Sequence, residues 1–300
     1  MISTEQNTPK QLQRLGAQRQ LYATAKKILG IQIVLSGPAA VLLAFLIIPY
    51  PAFKGYAALW GLTLALCDLF WLTPWQKRLR ALAARTQEAF DCDVLALPWN
   101  ELKADKRPDP EIIKAMSDKY QSWASEMPPL TDWYAPIVSD LPIHIGRIAC
   151  QRSNCWWDSQ QRRKYAMWVI ALLFLVCFIV LGLSIINGLT LEDFVLKIAT
   201  PLAPAILLAA RQFSEQMETA SRLDKLKGHA ERLWDKSLSG NSEGEIATES
   251  RQLQDEILEN RRKSPLVFDS IYKRLQSGFE LQMNYCVTDL VTEAKVRLGL

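Results

Sequence analysis

The stretch YAMWVIALLFLVCFIVLGLSIIN, residues 165–187, decides the fold of this chain. It contains no Asp, Glu, Lys or Arg. A helix rises about 1.5 Å per residue, so a helix of this length crosses a hydrocarbon layer about 30 Å thick. A helix also pairs its backbone polar groups within one segment, as that layer requires. The stretch therefore predicts a transmembrane helix.

Three further apolar segments extend this prediction to four transmembrane helices in two hairpins. They span residues 28–48, 55–72 and 191–210. A short linker with two prolines joins the first two segments, and the turn signal Asn187-Gly188 joins the last two. The fourth segment carries Glu192, Asp193 and Lys197, so a buried or re-entrant helix is the alternative there.

Basic residues near the segment ends predict the orientation. They precede segments one and three and follow segments two and four, whereas the two hairpin loops contain only Lys54. Because basic residues favour the cytoplasmic side, both termini and the middle region are predicted to be cytoplasmic. The predicted units are a cytoplasmic N-terminal segment, a transmembrane hairpin, a cytoplasmic domain, a second transmembrane hairpin and a cytoplasmic C-terminal helical region, at residues 1–27, 28–72, 73–164, 165–210 and 211–300.

The cytoplasmic module is predicted to be mainly helical, which makes the fold an all-α membrane protein. Helical patterns cover residues 76–90, 111–123, 211–238 and 243–263, and one helix or a helix pair covers 268–300. Residues 91–100 change in character and include a proline, so they are predicted to form an extended or looped element.

Several function classes lack their sequence signals. The chain has no Gly-rich phosphate loop and no G-x-S-x-G motif, so neither a catalytic site nor a bound cofactor is predicted. Its six cysteines form no C-x-x-C pair and it has two histidines, which argues against a metal site. Asp91 and Asp93 form a D-x-D pair that suits either a metal or a hydrogen-bonded turn, and the turn is favoured. A net charge of +4 without a basic tract argues against a nucleic-acid polymer as partner.

Polar residues inside the apolar segments are candidates for the lining of a pore. Charges at membrane depth are costly and commonly mark ion pathways. The candidates are Lys197, Thr200, Pro204 and Arg211, which fall roughly on one helical face, and Asp68 in segment two. The alternative for Lys197 is that it extends to the outer interface and pairs with Asp193 one turn earlier.

A cluster of basic, amide and aromatic residues precedes segment three. Its candidate ligand-binding residues are Gln151, Arg152, Asn154, Trp156, Trp157, Arg162 and Arg163. Guanidinium groups suit phosphate recognition and indole faces suit stacking with nucleobases. An interfacial aromatic belt with cytoplasmic basic residues is the alternative, and it accounts best for the arginines nearest the membrane.

Four stretches of the sequence resemble the SMODS-associated four-transmembrane effector family of bacterial cyclic-oligonucleotide anti-phage systems (CBASS). The stretches are FDCDVLALPWN at 90–100, TDWYAPIVSDLP at 131–142, CQRSNCWWD at 150–158 and NRRKSPLVFDSIYKR at 260–274. They occur in the order and the membrane context expected for that family. One departure is Tyr134-Ala135-Pro136, where the family pattern has Tyr-Pro.

The resemblance implies a multi-pass protein of the bacterial inner membrane that a cyclic di- or trinucleotide activates. It further implies a homo-oligomer that forms a pore or disrupts the lipid bilayer and so aborts infection. A constitutive channel or small transporter, and a membrane-anchored scaffold without conduction, remain the alternatives. The resemblance supplies no ligand-contact residues, so the site residues rest on the chemistry of the cluster before segment three.

Overall fold

Helices are the regular elements of the described chain, as the sequence predicts. The structure is a computed structural model, and it describes residues 1–39, 42, 50, 52, 54–186, 188, 190–195 and 199–300. Within these ranges no β-strand occurs. The second predicted membrane segment and nearly all of the third lie inside the described ranges, whereas much of the first and part of the fourth lie outside them.

The described residues of the first half of the chain form six α-helices. Their bounds are α1 Ile2–Glu5, α2 Pro9–Ser36, α3 Lys54–Cys67, α4 Thr73–Val94, α5 Glu101–Ala104 and α6 Pro110–Gln121. A π-helical turn, Asp68–Leu72, joins α3 to α4 without a break. Pro110 occupies the first turn of α6, where its missing N–H leaves no hydrogen bond unmade.

The described residues of the second half form four long α-helices and a short one. Their bounds are α7 Ile143–Ile186, α8 Leu191–Phe194, α9 Thr200–Leu238, α10 Glu243–Lys263 and α11 Asp269–Leu298. The Ser242 hydroxyl caps α10 by accepting a hydrogen bond from the Glu245 backbone N–H at 3.3 Å. Residues 268–300, predicted as one helix or two, contain the single helix α11.

Two described helices are long and apolar enough to cross a membrane. They span Ala58–Val94 and Ile143–Ile186. The most apolar window of the first is 0% buried inside the protein and that of the second is 6% buried. Apolar helices exposed to this degree differ from the covered core helices of soluble proteins, and they fit a lipid environment.

The module that is predicted to be cytoplasmic brings together parts that are distant in sequence. α2 packs against α4 and α6, α7 packs along α9, and α10 packs against α9, α4 and α7. The main core includes Leu15, Phe90, Ile148, Leu233 and Leu253. The chain segments before, between and after the two predicted hairpins therefore share one interior.

The prediction of a looped element over residues 91–100 is wrong at its start. α4 continues to Val94 and only then gives way to irregular chain. Asp91 is 0% exposed and accepts a hydrogen bond from Tyr134 at 2.7 Å. These contacts come from distant parts of the chain, and local sequence signals do not register them. The helix predicted over 111–123 likewise ends earlier, at Gln121.

Asp93 joins three basic residues at the end of α4. Its carboxylate lies 2.7 Å from Arg14, 2.9 Å from Arg107 and 3.0 Å from Lys10. Partial burial raises the pKa of Asp93, but the hydrogen bonds from these cations outweigh burial and hold the pKa well below its usual range.

Stability should therefore fall in acid through Asp93. A depressed pKa in the folded state stabilises the fold above the unfolded pKa of about 4, and this contribution is lost as pH falls below it. Thermal melting from pH 7 to pH 3 should show that Asp93→Asn is less stable than wild type at pH 7. The difference between the two proteins should be smaller at pH 3 than at pH 7, because part of the contribution is lost below the unfolded pKa, and a constant difference would contradict the assignment.

Candidate functional site

A cavity of about 500 Å³ lies in the part of the protein that is predicted to be cytoplasmic. Its walls come from α2, α7, α10, α11 and the irregular stretch after α6. The volume falls within the range of about 300–1,000 Å³ that is typical of small-molecule sites. The polar and aromatic side chains on the walls include Arg19, Tyr22, Lys26, Trp133, Asn154, Trp157, Asp158, Arg162, Arg261, Asp269 and Tyr272.

Arg19 is the cavity cation that no described carboxylate neutralises. Its guanidinium carbon lies 5.9 Å from the ring centre of Trp133 and 5.9 Å from that of Tyr272. It donates hydrogen bonds to the Tyr120 hydroxyl at 3.1 Å and to the Pro128 carbonyl at 2.6 Å. Two aromatic rings and two neutral acceptors thus hold a positive charge that is available to an anion.

The other cations on the cavity wall each contact a carboxylate within the described chain. The pairs are Lys26–Asp269 at 2.5 Å, Arg162–Asp158 at 2.9 Å and Arg261–Asp91 at 2.5 Å. Burial lowers the pKa of Lys26, and the nearby Arg19 and Arg162 lower it further, while Asp269 raises it. Positive charges are therefore close enough to repel one another, and Asp269 is the anion that stabilises Lys26 in its charged form.

Aromatic rings form one side of the cavity. Trp157 lies 6.4 Å from Tyr272 and 5.7 Å from Phe279, measured between ring centres. Cys155 also lines the cavity, and burial raises its pKa to about 12. Its thiol therefore stays protonated at neutral pH and is a poor nucleophile. The wall chemistry suits the binding of a flat, anionic molecule.

Three of the predicted ligand-binding residues line this cavity. They are Asn154, Trp157 and Arg162, all on α7. The Asn154 amide donates to the Tyr134 hydroxyl at 2.9 Å, and that hydroxyl in turn donates to Asp91. Arg162 is buried and donates to the Pro265 carbonyl at 2.8 Å. These hydrogen bonds hold the Asn154 and Arg162 side chains in place at the cavity wall.

The other four predicted residues lie outside the cavity. Gln151 is fully buried against α10, where its amide nitrogen donates to the Ser250 carbonyl at 2.9 Å. Arg152 pairs with Glu231 at 2.8 Å. Trp156 packs edge-on to Phe279, and Arg163 pairs with Asp224. These contacts give all four a structural role in the described chain.

The predicted pore-lining residues are only partly described. Asp68 accepts hydrogen bonds from Gln32 and from the Thr73 hydroxyl, the latter at 3.2 Å. Arg211 is exposed and pairs with Glu215 at 2.7 Å. Lys197, together with the side chains of Thr200 and Pro204, lies outside the described residues.

Sequence reasoning missed several residues that line the cavity. The missed residues include Arg19, Tyr22, Lys26, Trp133, Arg261 and Tyr272. A signal for some of them was present, because Trp133 lies in the motif at 131–142, while Arg261 and Tyr272 lie in the motif at 260–274. Arg19 and Lys26 belong to the N-terminal segment, which carries no comparable motif. Three of the four resembling motifs thus contribute to one cavity wall.

Comparisons with known proteins give a family match and a related protein. A family model described as "SMODS-associating 4TM effector domain" matches residues 1–290. A protein of Bacillus cereus (strain VD146), named as a probable CBASS effector molecule, is 25% identical over 190 residues. That match spans 63% of this chain and 62% of the relative. No solved structure matches the chain.

Proposed function

Because this chain belongs to the SMODS-associating 4TM effector family, we propose that it is a membrane effector of anti-phage defence. A cyclic oligonucleotide binds the cytoplasmic cavity and activates it. The activated protein assembles as a homo-oligomer in the bacterial inner membrane and permeabilises that membrane. The cavity serves for binding, and the proposal assigns no catalytic residue, metal or cofactor to it.

One observation carries the ligand class. The cavity holds an arginine that has no carboxylate partner among the described residues and lies close to two aromatic rings, with three further cations on the same walls. A guanidinium binds the oxygens of a phosphodiester, and Trp or Tyr rings stack against nucleobases at about 1–3 kcal/mol per base. A cyclic oligonucleotide presents both groups in one compact, anionic molecule.

The helices that form the cavity support the link to the membrane. α2 contributes Arg19 and Lys26 and continues to Ser36, within the first predicted membrane segment. α7 contributes Asn154 and Arg162 and continues to Ile186 at the end of the third. A ligand held between these helices therefore acts on rods that extend towards the bilayer.

The exposure of the apolar helices and the small number of membrane helices in each chain support an assembly of several protomers. The two apolar spans leave most of their surface uncovered within one protomer. Four helices from one chain are too few to enclose a wide aqueous channel, so a pore requires several protomers. In that assembly segment four and Asp68 line the path.

Purified protein in liposomes loaded with a self-quenching dye tests the proposal. The ligands are cyclic di-AMP, cyclic di-GMP, cyclic GMP–AMP and cyclic tri-AMP, and the linear dinucleotide pApA is the control. We expect one cyclic ligand to bind and to release dye, while pApA does neither. Release without nucleotide would favour a constitutive channel instead, and binding without release would favour a scaffold.

A further inference from the structure

The 264–269 linker, which comprises the residues between α10 and α11 and the first residue of α11, contacts every helix that leads to a predicted membrane segment. One side chain from each of these helices holds it. The contacts are Lys26 of α2 to the Asp269 carboxylate at 2.5 Å, Arg80 of α4 to the Ser264 carbonyl at 3.0 Å, Arg162 of α7 to the Pro265 carbonyl at 2.8 Å, and Gln216 of α9 to the Leu266 carbonyl at 3.1 Å.

The 264–269 linker is also part of the cavity wall. Ser264, Pro265, Leu266, Val267 and Asp269 all line the cavity. Leu266 is buried beside Ala25 and Leu29 of α2, which anchors the linker on that helix. A change in the cavity therefore reaches all four helices through a single short segment.

The three carboxylates that neutralise cavity cations differ in how easily each can separate from its cation. Asp91 is 0% exposed and also accepts hydrogen bonds from Tyr134 and Gln254. Asp158 lies one turn from Arg162 on the same helix, so it cannot move away independently. Asp269 is the first residue of α11, and its side chain is 32% exposed. Asp269 is the exchangeable partner.

The first half of α11 is also the part that can follow Asp269. The buried residues of α11 as a whole are Phe279, Val287, Val291 and Ala294, and the last three lie in its second half. Lys295 near that end pairs with Asp140 at 2.7 Å. The far end of the helix is thus anchored away from the cavity, while its beginning is held through the linker and through contacts of Tyr272 and Phe279 with Trp157.

We propose that Asp269 occupies a phosphate position and keeps the protein inactive. This inference rests on the proposed function. When a ligand phosphate replaces the Asp269 carboxylate at Lys26, the cation remains neutralised, and the 264–269 linker and the start of α11 are released. Arg19 binds a second phosphate without displacing anything. No covalent bond changes in this exchange.

The electrostatics of Lys26 support an exchange rather than a simple loss of the pair. The Lys26 side chain is only 18% exposed and is close to the charges of Arg19 and Arg162, so a neighbouring anion stabilises its charged form. A phosphodiester oxygen supplies that anion as well as a carboxylate does. The Lys26 cation is therefore neutralised by Asp269 in the inactive state and by phosphate in the ligand-bound state. The two states differ in the position of the 264–269 linker.

The test compares Asp269→Asn with Lys26→Gln, because both break the pair but only the second removes the phosphate-binding cation. Both variants should release dye from liposomes without nucleotide more than wild type does. Titrations use the same four cyclic nucleotides. Asp269→Asn should bind about tenfold tighter than wild type, which corresponds to about 1.4 kcal/mol, and Lys26→Gln should bind about tenfold weaker.

Glu293→Gln is the matched control, because Glu293 also lies on α11 and pairs with Arg297 at 2.7 Å but lies outside the cavity. It should match wild type within about twofold in both assays. Weaker binding by Asp269→Asn, or dye release no higher than that of wild type, would overturn the exchange. If wild type binds no cyclic nucleotide while both pair variants still release dye, the proposed ligand is wrong and the inhibitory contact stands.

Discussion

Asp91→Ala is expected to lower the free energy of unfolding by about 3–5 kcal/mol, because it leaves a buried arginine without its anion. Arg261 lies 2.5 Å from Asp91, and their side chains are 10% and 0% exposed. The same change removes the acceptor for the Tyr134 hydroxyl. A loss of this size should lower the melting temperature by roughly 10 °C.

Asp105→Ala is the control for that experiment. Asp105 also lies 2.5 Å from an arginine, Arg262, but its side chain is 59% exposed. Exposed ion pairs contribute about 0–1 kcal/mol, so the melting temperature should change by no more than about 3 °C. Tryptophan fluorescence of the full chain in detergent micelles measures both variants. Equal losses would show that burial of Asp91 does not set its contribution.

Arg19→Gln is expected to weaken ligand binding about 10- to 100-fold and to abolish ligand-dependent dye release. Charge-assisted hydrogen bonds contribute about 1.5–3 kcal/mol, and the change also removes the cation held between Trp133 and Tyr272. Arg19 has no described carboxylate partner, so its replacement leaves no buried acid unpaired. Stability should therefore change little, which separates binding from folding.

Arg152→Gln is the matched variant for this prediction. Arg152 lies on α7 outside the cavity and contacts Glu231, so ligand affinity should stay within about twofold of wild type. Calorimetric titration with the cyclic nucleotide that releases dye measures both variants. If Arg152→Gln abolished ligand binding and Arg19→Gln left it unchanged, the ligand would bind at the cluster that the sequence alone suggested.

The sequence predicts the helices well wherever local patterns determine them. The break before α10 and its Ser242 cap are visible in the sequence, and the predicted bounds 243–263 match those in the structure. The end of α4 is different, because burial of Asp91 against distant side chains extends the helix to Val94. Contacts of that kind have no local signature.

Helix geometry explains why only some of the predicted ligand-binding residues lie at the candidate site. Asn154, Trp157 and Arg162 lie within one sector of α7, whereas Arg152, Trp156 and Arg163 lie about 160–200° from Asn154 at about 100° per residue. A helix predicted across the cluster would have separated these two faces. Arg19 and Lys26 were beyond reach, since only the packing of α2 against the rest brings them to the cavity.

The Lys26–Asp269 contact has a quantitative consequence for cooperativity. Moving a two-state equilibrium from 1:99 to 99:1 requires a differential affinity of about 5.5 kcal/mol. An exchange that contributes about 1.4 kcal/mol per protomer reaches that value when about four protomers switch together. Dye release should then rise steeply with ligand concentration, with a Hill coefficient well above 1. An exchange that is too weak to switch one protomer alone thereby gives an assembly of protomers a steep response to ligand concentration.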